Sequence, residues 1–213
     1  MGGGFIMVPL LAMINVAFLP GPLICASLSI SGFMMWREWQ HIDFRCVKVI
    51  LMAFVPGTIL GAWLLSNISA DSLGVFFGYV ILFAVLISLS GIHFPLNRIS
   101  GAIAGVIAGA MGASTGIGAP ILAVLYQRSS GPMVRSTLAF LYTVCSLLIV
   151  AALIFFGRFS WQEGGYSLLL VPGFMFGYVL SRPLAVHFDH GATRYIVLGI
   201  SAAASVSLII GSL

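Results

Sequence analysis

Apolar residues along this chain come in long runs, separated by short groups of charged and turn-forming residues. Runs approaching the roughly 20 residues of a helical bilayer crossing fall at 22–36, 46–66, 72–93, 133–157, 165–181 and 194–213. Two other stretches do not fit a single crossing. Residues 4–19 are apolar but short, and 99–126 are too many for one helix and too few for two. The latter reads ISGAIAGVIAGAMGASTGIGAPILAVLY, its middle crowded with glycine, small hydroxyl residues and a proline. A continuous lipid-facing helix would not carry that middle. A broken helix, or a hairpin entering and leaving on one side, would.

An internal comparison accounts for both misfits. GPLICASL at 21–28 resembles GPMVRSTL at 131–138, and VPGTILGAWL at 55–64 resembles VPGFMFGYVL at 171–180. A glycine-rich segment precedes each set, GGG…P at 2–9 and GASTGIGAP at 112–120. Two matches in the same order mark a duplication, with a first repeat at 1–95 and a second at 96–213.

Charge then decides how the repeats are related. Four simple crossings per half would split Lys and Arg almost evenly between the two sides. If 99–126 instead enters and leaves on one side, Arg37, Arg45, Lys48, Arg98, Arg128, Arg135, Arg182 and Arg194 share a face, with Arg158 alone opposite. That asymmetry is what the positive-inside rule expects. Each half then makes an odd number of crossings and the halves lie inverted, an architecture of secondary transporters. The expected fold is an all-α polytopic membrane protein of two inverted-topology repeats. Each repeat has a glycine-rich broken or re-entrant helix pair plus three transmembrane helices, and the first re-entrant arm is expected to be missing, leaving that repeat incomplete at its N-terminus.

Composition supports the membrane class. Of 213 residues, 61% are hydrophobic and 7% charged, with a net charge of +4, where a soluble domain carries about 25% charged residues. The basic residues sit between apolar runs, so nucleic acid is not an expected partner. Cys25, Cys46 and Cys145 have no metal-ligand or disulfide-framework spacing, and no metal or cofactor is expected. The N-terminus lacks the basic leader of a signal peptide and reads as part of the mature structure.

Candidate chemistry gathers at the glycine-rich breaks. A helix starting inside the membrane presents backbone N–H groups without intrahelical partners, and these favour an anion. In the second half, Ser114 and Thr115 would add hydroxyls beside Gly116 and Gly118, with Pro120 in the first turn of the new helix. In the first half Gly3, Gly4 and Pro9 occupy the matching place, and the two loops would meet near the midplane. Ser27, Ser136 and Thr137, from the duplicated GPxxxS segments, are further candidates, although such hydroxyls often bond back to their own helix. Arg135 would attract an anion by charge-assisted hydrogen bonds, or anchor its helix by snorkelling to the headgroups. The glycine pairs Gly57/Gly61 and Gly173/Gly177, with Gly101, Gly105 and Gly109, are expected to let helices pack closely. The acids Glu38, Asp43, Asp71, Glu163 and Asp189 all fall in expected loops. With no mid-membrane carboxylate, a coupling ion, H+ or Na+, stays open, as does oligomeric state.

The order GGGFIMVPLL, VPGTILGAWL, GAMGASTGIGAPIL, VPGFMFGYVL resembles the TauE/SafE sulfite-exporter family over essentially the whole chain. The resemblance implies a multi-pass permease of the plasma (inner) membrane for small sulfur-containing or organic anions such as sulfite or sulfonates, working by alternating access in the lipid bilayer. Two rival readings accompany it. GASTG at 112–116 matches GxSxG, so an intramembrane serine hydrolase would use Ser114, although the strand-to-helix elbow that gives the motif its meaning is missing. A non-transporting membrane scaffold is the other.

Overall fold

The computed structural model describes residues 3–69, 72–89, 95–126, 131–185 and 192–211, and every regular element among them is helical. Nine α-helices follow in order: α1 (Gly3–Ile14), α2 (Gly21–Glu38), α3 (Phe44–Ser66), α4 (Leu73–Leu89), α5 (Arg98–Thr115), α6 (Ala119–Leu125), α7 (Gly131–Phe155), α8 (Trp161–Ala185) and α9 (Ala192–Gly211). Each apolar run has its helix, and the long stretch 99–126 is broken into α5 and α6. Of these helices, α3 and α7 are long and apolar enough to cross a membrane by length and composition, and α4 is a shorter apolar helix.

Local sequence sets the ends. Asp43 accepts the Arg45 N–H at 3.0 Å and Asn97 accepts the Ser100 N–H at 2.8 Å, capping α3 and α5. Ahead of α8, Glu163 reaches back to the Ser160 N–H at 2.7 Å, the carboxylate half of a capping box. Three of the acids expected in loops thus work at helix ends: Glu38 closes α2, Asp43 caps α3 and Glu163 sits in the first turn of α8. Asp71 and Asp189 lie outside the described residues.

Close contacts fix the directions of the helices. The start of α2 lies against the end of α7, because a Cβ added at Gly21 would meet Phe159 and Leu153. The end of α2 meets the start of α7 through the Glu38–Arg135 ion pair at 3.2 Å. These two helices therefore run antiparallel. So do α4 and α9, since Gly78 near the start of α4 abuts Ser205 and Ile209 near the end of α9. By contrast α2 and α8 run parallel, joined by the Phe18–Tyr166 and Phe33–Tyr178 ring contacts.

The closest seam is that between α3 and α5, also parallel. A Cβ at Gly57 would fall on the Val106 carbonyl oxygen, and one at Gly61 on that of Ala110. Reciprocally, Gly105 would meet the Ile50 oxygen at 2.5 Å and Gly109 the Phe54 oxygen. Glycine is required on both sides because backbone meets backbone. Here the expected glycine packing holds. On α8, where the same was expected of Gly173 and Gly177, it does not: nothing lies within 4 Å of a Cβ built on either. What α5 supplies to α3 has no counterpart against α8 among the described residues.

Charge and aromatic residues divide the bundle lengthwise. Arg37, Arg45, Lys48, Arg98 and Arg135 sit where α2 ends and α3, α5 and α7 begin, while Arg128 lies outside the described residues. The exposed Trp36 and Trp39 share that end, and the exposed Trp63 and Trp161 mark the other. From Phe44 to Trp63, α3 rises about 28 Å, close to the ~30 Å of a hydrocarbon core.

Arg158, at the opposite end from the other described cations, is committed to the backbone. Its Nη2 donates to the carbonyls of Leu65, Ser66 and Ile68 at 2.8, 3.1 and 3.0 Å. Those oxygens lie at the end of α3 and just past it, where carbonyls run out of intrahelical partners. Replacing Arg158 with Met keeps the hydrophobic stem and removes all three bonds. We expect a loss of about 2–3 kcal/mol, the range for a charge-assisted cap in a partly buried setting, read as earlier thermal unfolding in detergent. No change on R158M would show the cap to be idle.

Candidate functional site

The break between α5 and α6 is built by three consecutive choices of residue. Gly116 closes α5 in the left-handed conformation at φ 83°, its N–H donating to the Gly112 carbonyl at 2.9 Å. Only glycine adopts that conformation without cost. Gly118 then lies against α5, where a Cβ would sit 2.5 Å from the Ala108 oxygen and 3.3 Å from the Gly112 Cα. Pro120 occupies the first turn of α6, where its missing N–H is not needed.

The chain turns back on itself as the sequence leads one to expect. α6 folds along α5 from Gly118, and both ends of the segment, Arg98 and Tyr126, lie within electrostatic reach of Cys46 in the first turn of α3. Residues 98–126 thus enter and leave at one end of the bundle. Two contacts hold the turn in place. Tyr142 of α7 donates its hydroxyl to the Ala119 carbonyl at 3.0 Å, and Leu23 of α2 covers Gly116, where a Cβ would meet Cδ2 at 3.2 Å. Neither was singled out in the sequence. The one available signal was the phenol of Tyr142 inside an apolar run, since a buried tyrosine hydroxyl needs a partner.

The two hydroxyls beside the turn differ. Thr115 is fully buried, donates to the Met111 carbonyl at 2.8 Å and accepts a long contact from the Ile117 N–H at 3.4 Å. Ser114 is also buried, but its bond to the same carbonyl is 3.3 Å. A bond that long is weak, so the Ser114 hydroxyl is the more readily redirected of the two.

The remaining candidates are engaged in other ways. Ser27 donates to Ile24 O at 2.9 Å and Ser136 to Pro132 O at 2.7 Å, both within their own helices. Thr137 accepts the Asp43 N–H at 3.0 Å and so ties α7 to the start of α3. Arg135 is exposed and paired with Glu38. Glu38 and the turn-covering Leu23 are fifteen residues apart on α2, about 22 Å along the axis. The structure therefore sets Arg135, Ser136 and Thr137 at the cationic end, away from the Gly116 turn. Gly3, Gly4 and Pro9 belong to α1, which runs through Pro9 without a break.

Comparison with known families sets the class, that of membrane transporters and not of enzymes. The family model described as Sulfite exporter TauE/SafE matches residues 1–208, and the chain belongs to that family. A search of the curated proteins and a search of the solved structures each returned no match. Family membership removes the serine-hydrolase reading of GASTG. The histidines of the segment between α8 and α9, His187 and His190, lie outside the described residues.

Proposed function

We propose that this chain is a secondary transporter of small sulfur-containing anions, sulfite or sulfonates, in the plasma (inner) membrane. It works by alternating access between two halves, 1–95 and 96–213, of inverted topology. The observation that carries the site is the buried turn at 114–118, where a helix interrupted inside the bundle brings a weakly held serine hydroxyl next to a left-handed glycine. Since α6 has only seven residues, its dipole is small and hydroxyl donors matter more than they would before a longer helix. Ser114 is the first donor to the anion, Thr115 orients the turn, and Gly116, Gly118 and Pro120 shape it.

The inverted arrangement draws support from the helix pairs. The sequence-matched partners α2 and α7 pack antiparallel, as a two-fold axis in the membrane plane requires, and α4 and α9 do the same. Cations gathered at one end and tryptophans at both ends support a multi-pass orientation with that end cytoplasmic.

Purified protein in proteoliposomes tests the reading by uptake of labelled sulfite. Wild type should accumulate sulfite above empty vesicles, and Ser114→Ala should lower uptake roughly tenfold, as the loss of one hydrogen bond to an anion predicts. Wild-type vesicles no better than empty ones would end the substrate assignment, and equal flux in S114A would remove Ser114 from the site.

A further inference from the structure

A groove of about 450 Å³ lies between α3, α4 and α5, within the range of small-molecule sites. Its walls are hydrocarbon: Leu60 and Leu64 from α3, Phe76, Val80 and Phe83 from α4, and Ala110 from α5. The exposed Trp63 and Tyr79 and the buried Ser114 also line it. This serine is only 4% exposed and is the same residue that adjoins the Gly116 turn. An apolar groove with a serine in its wall offers a lipid chain nothing at that serine, since the chain ends in a methyl group. A molecule with an anionic head and a hydrocarbon tail matches both parts.

We propose that the groove seats the tail of the transported anion, so that the preferred substrates are sulfonates carrying an apolar chain. The inference rests on the transport reading above, with the sulfonate head at Ser114 and the chain running outward between α3 and α4. Burying one methylene is worth enough to tighten binding about fourfold, and about twofold where the groove leaves one side of the chain exposed.

Competition against labelled sulfite uptake in proteoliposomes tests this with methane-, propane- and pentanesulfonate. The half-inhibiting concentration should fall two- to fourfold with each added methylene in wild type. Val80→Trp and Ala110→Leu, which fill the groove from opposite walls, should flatten the series while sulfite uptake itself persists. As a readout independent of those variants, 5-bromopentanesulfonate should quench wild-type tryptophan fluorescence saturably, and Trp63→Phe should remove most of that quenching. A flat series in wild type with sulfite uptake intact, or a chain-length gain that survives both fillings, overturns the proposal and leaves a groove holding only lipid. Quenching unaffected by W63F overturns it too. If sulfite uptake is itself absent, the transport reading fails first and the tail site with it.

Discussion

A single methyl group at position 57 should unseat the bundle, while one at position 173 should leave it intact or slightly firmer. The two glycines occupy matching places in VPGTILG and VPGFMFG, so sequence alone ranks them equal. The structure does not. A Cβ at Gly57 would strike the Val106 carbonyl, and backbone cannot rotate away as a side chain would, so α3 and α5 must separate along their whole seam. Overpacking of this kind costs about 3 kcal/mol, enough to lower the detergent-solubilised melting midpoint by on the order of 10 °C. At Gly173 no atom lies within 4 Å, and alanine is the better helix former by about 1 kcal/mol. Thermal unfolding of G57A and G173A, measured side by side, should move in opposite directions. Equal losses would mean that the α8 face is packed after all.

Gly116→Leu should abolish transport, taking sulfite uptake below about one-tenth of wild type at equal protein in the vesicle, because it adds two penalties at the same atom. The left-handed conformation at φ 83° costs a residue with a Cβ roughly 1–2 kcal/mol. The leucine must also displace Leu23, whose Cδ2 lies 3.2 Å from the Cβ position. Relieving both means moving Ser114 and Thr115, the hydroxyls on the same turn. Gly131→Ala is the matched control: it sits at the start of α7, where a Cβ meets only the Arg135 guanidinium at 3.5 Å, and its flux should match wild type. A G116L protein that folds and transports normally would show that the turn does not contact substrate.

Most of the helix inventory could be read from hydropathy, and the break at 116–118 from glycine, hydroxyl and proline placement. That works because a membrane-spanning helix must satisfy its own backbone, so an interruption has to be written into local residues. Pro120 in the first turn and Gly116 as the left-handed cap are both such local signals. Interfaces were less legible. Gly57/Gly61 and Gly173/Gly177 carry the same motif, yet only a neighbouring helix turns it into a contact, and that neighbour is non-local information. Arg135 shows the same limit. Its position one turn into α7 allowed an anion-binding role, but the partner that takes it, Glu38, comes from the far end of α2. Likewise the sequence sets Arg158 alone on the opposite face and says nothing of its three carbonyl acceptors at the end of α3 and just past it.

The parallel pair α3 and α5 has a mechanical consequence. With glycines facing carbonyls from both sides, backbone meets backbone along most of the seam, and the side chains that enter it, Ile50 against Gly101 and Ala53 against Gly105, have little room to move. The two helices therefore form a stiff two-ply beam with little internal play. The turn at 116–118 is fastened to one end of it by the Gly116 N–H and by Gly118 seated on Ala108. Any rearrangement that opens the bundle leaves this beam unbent and carries the turn with it. The shear must then run along seams where side chains interleave, such as α4 against α9, where the Ile209 side chain fills the space beside Gly78.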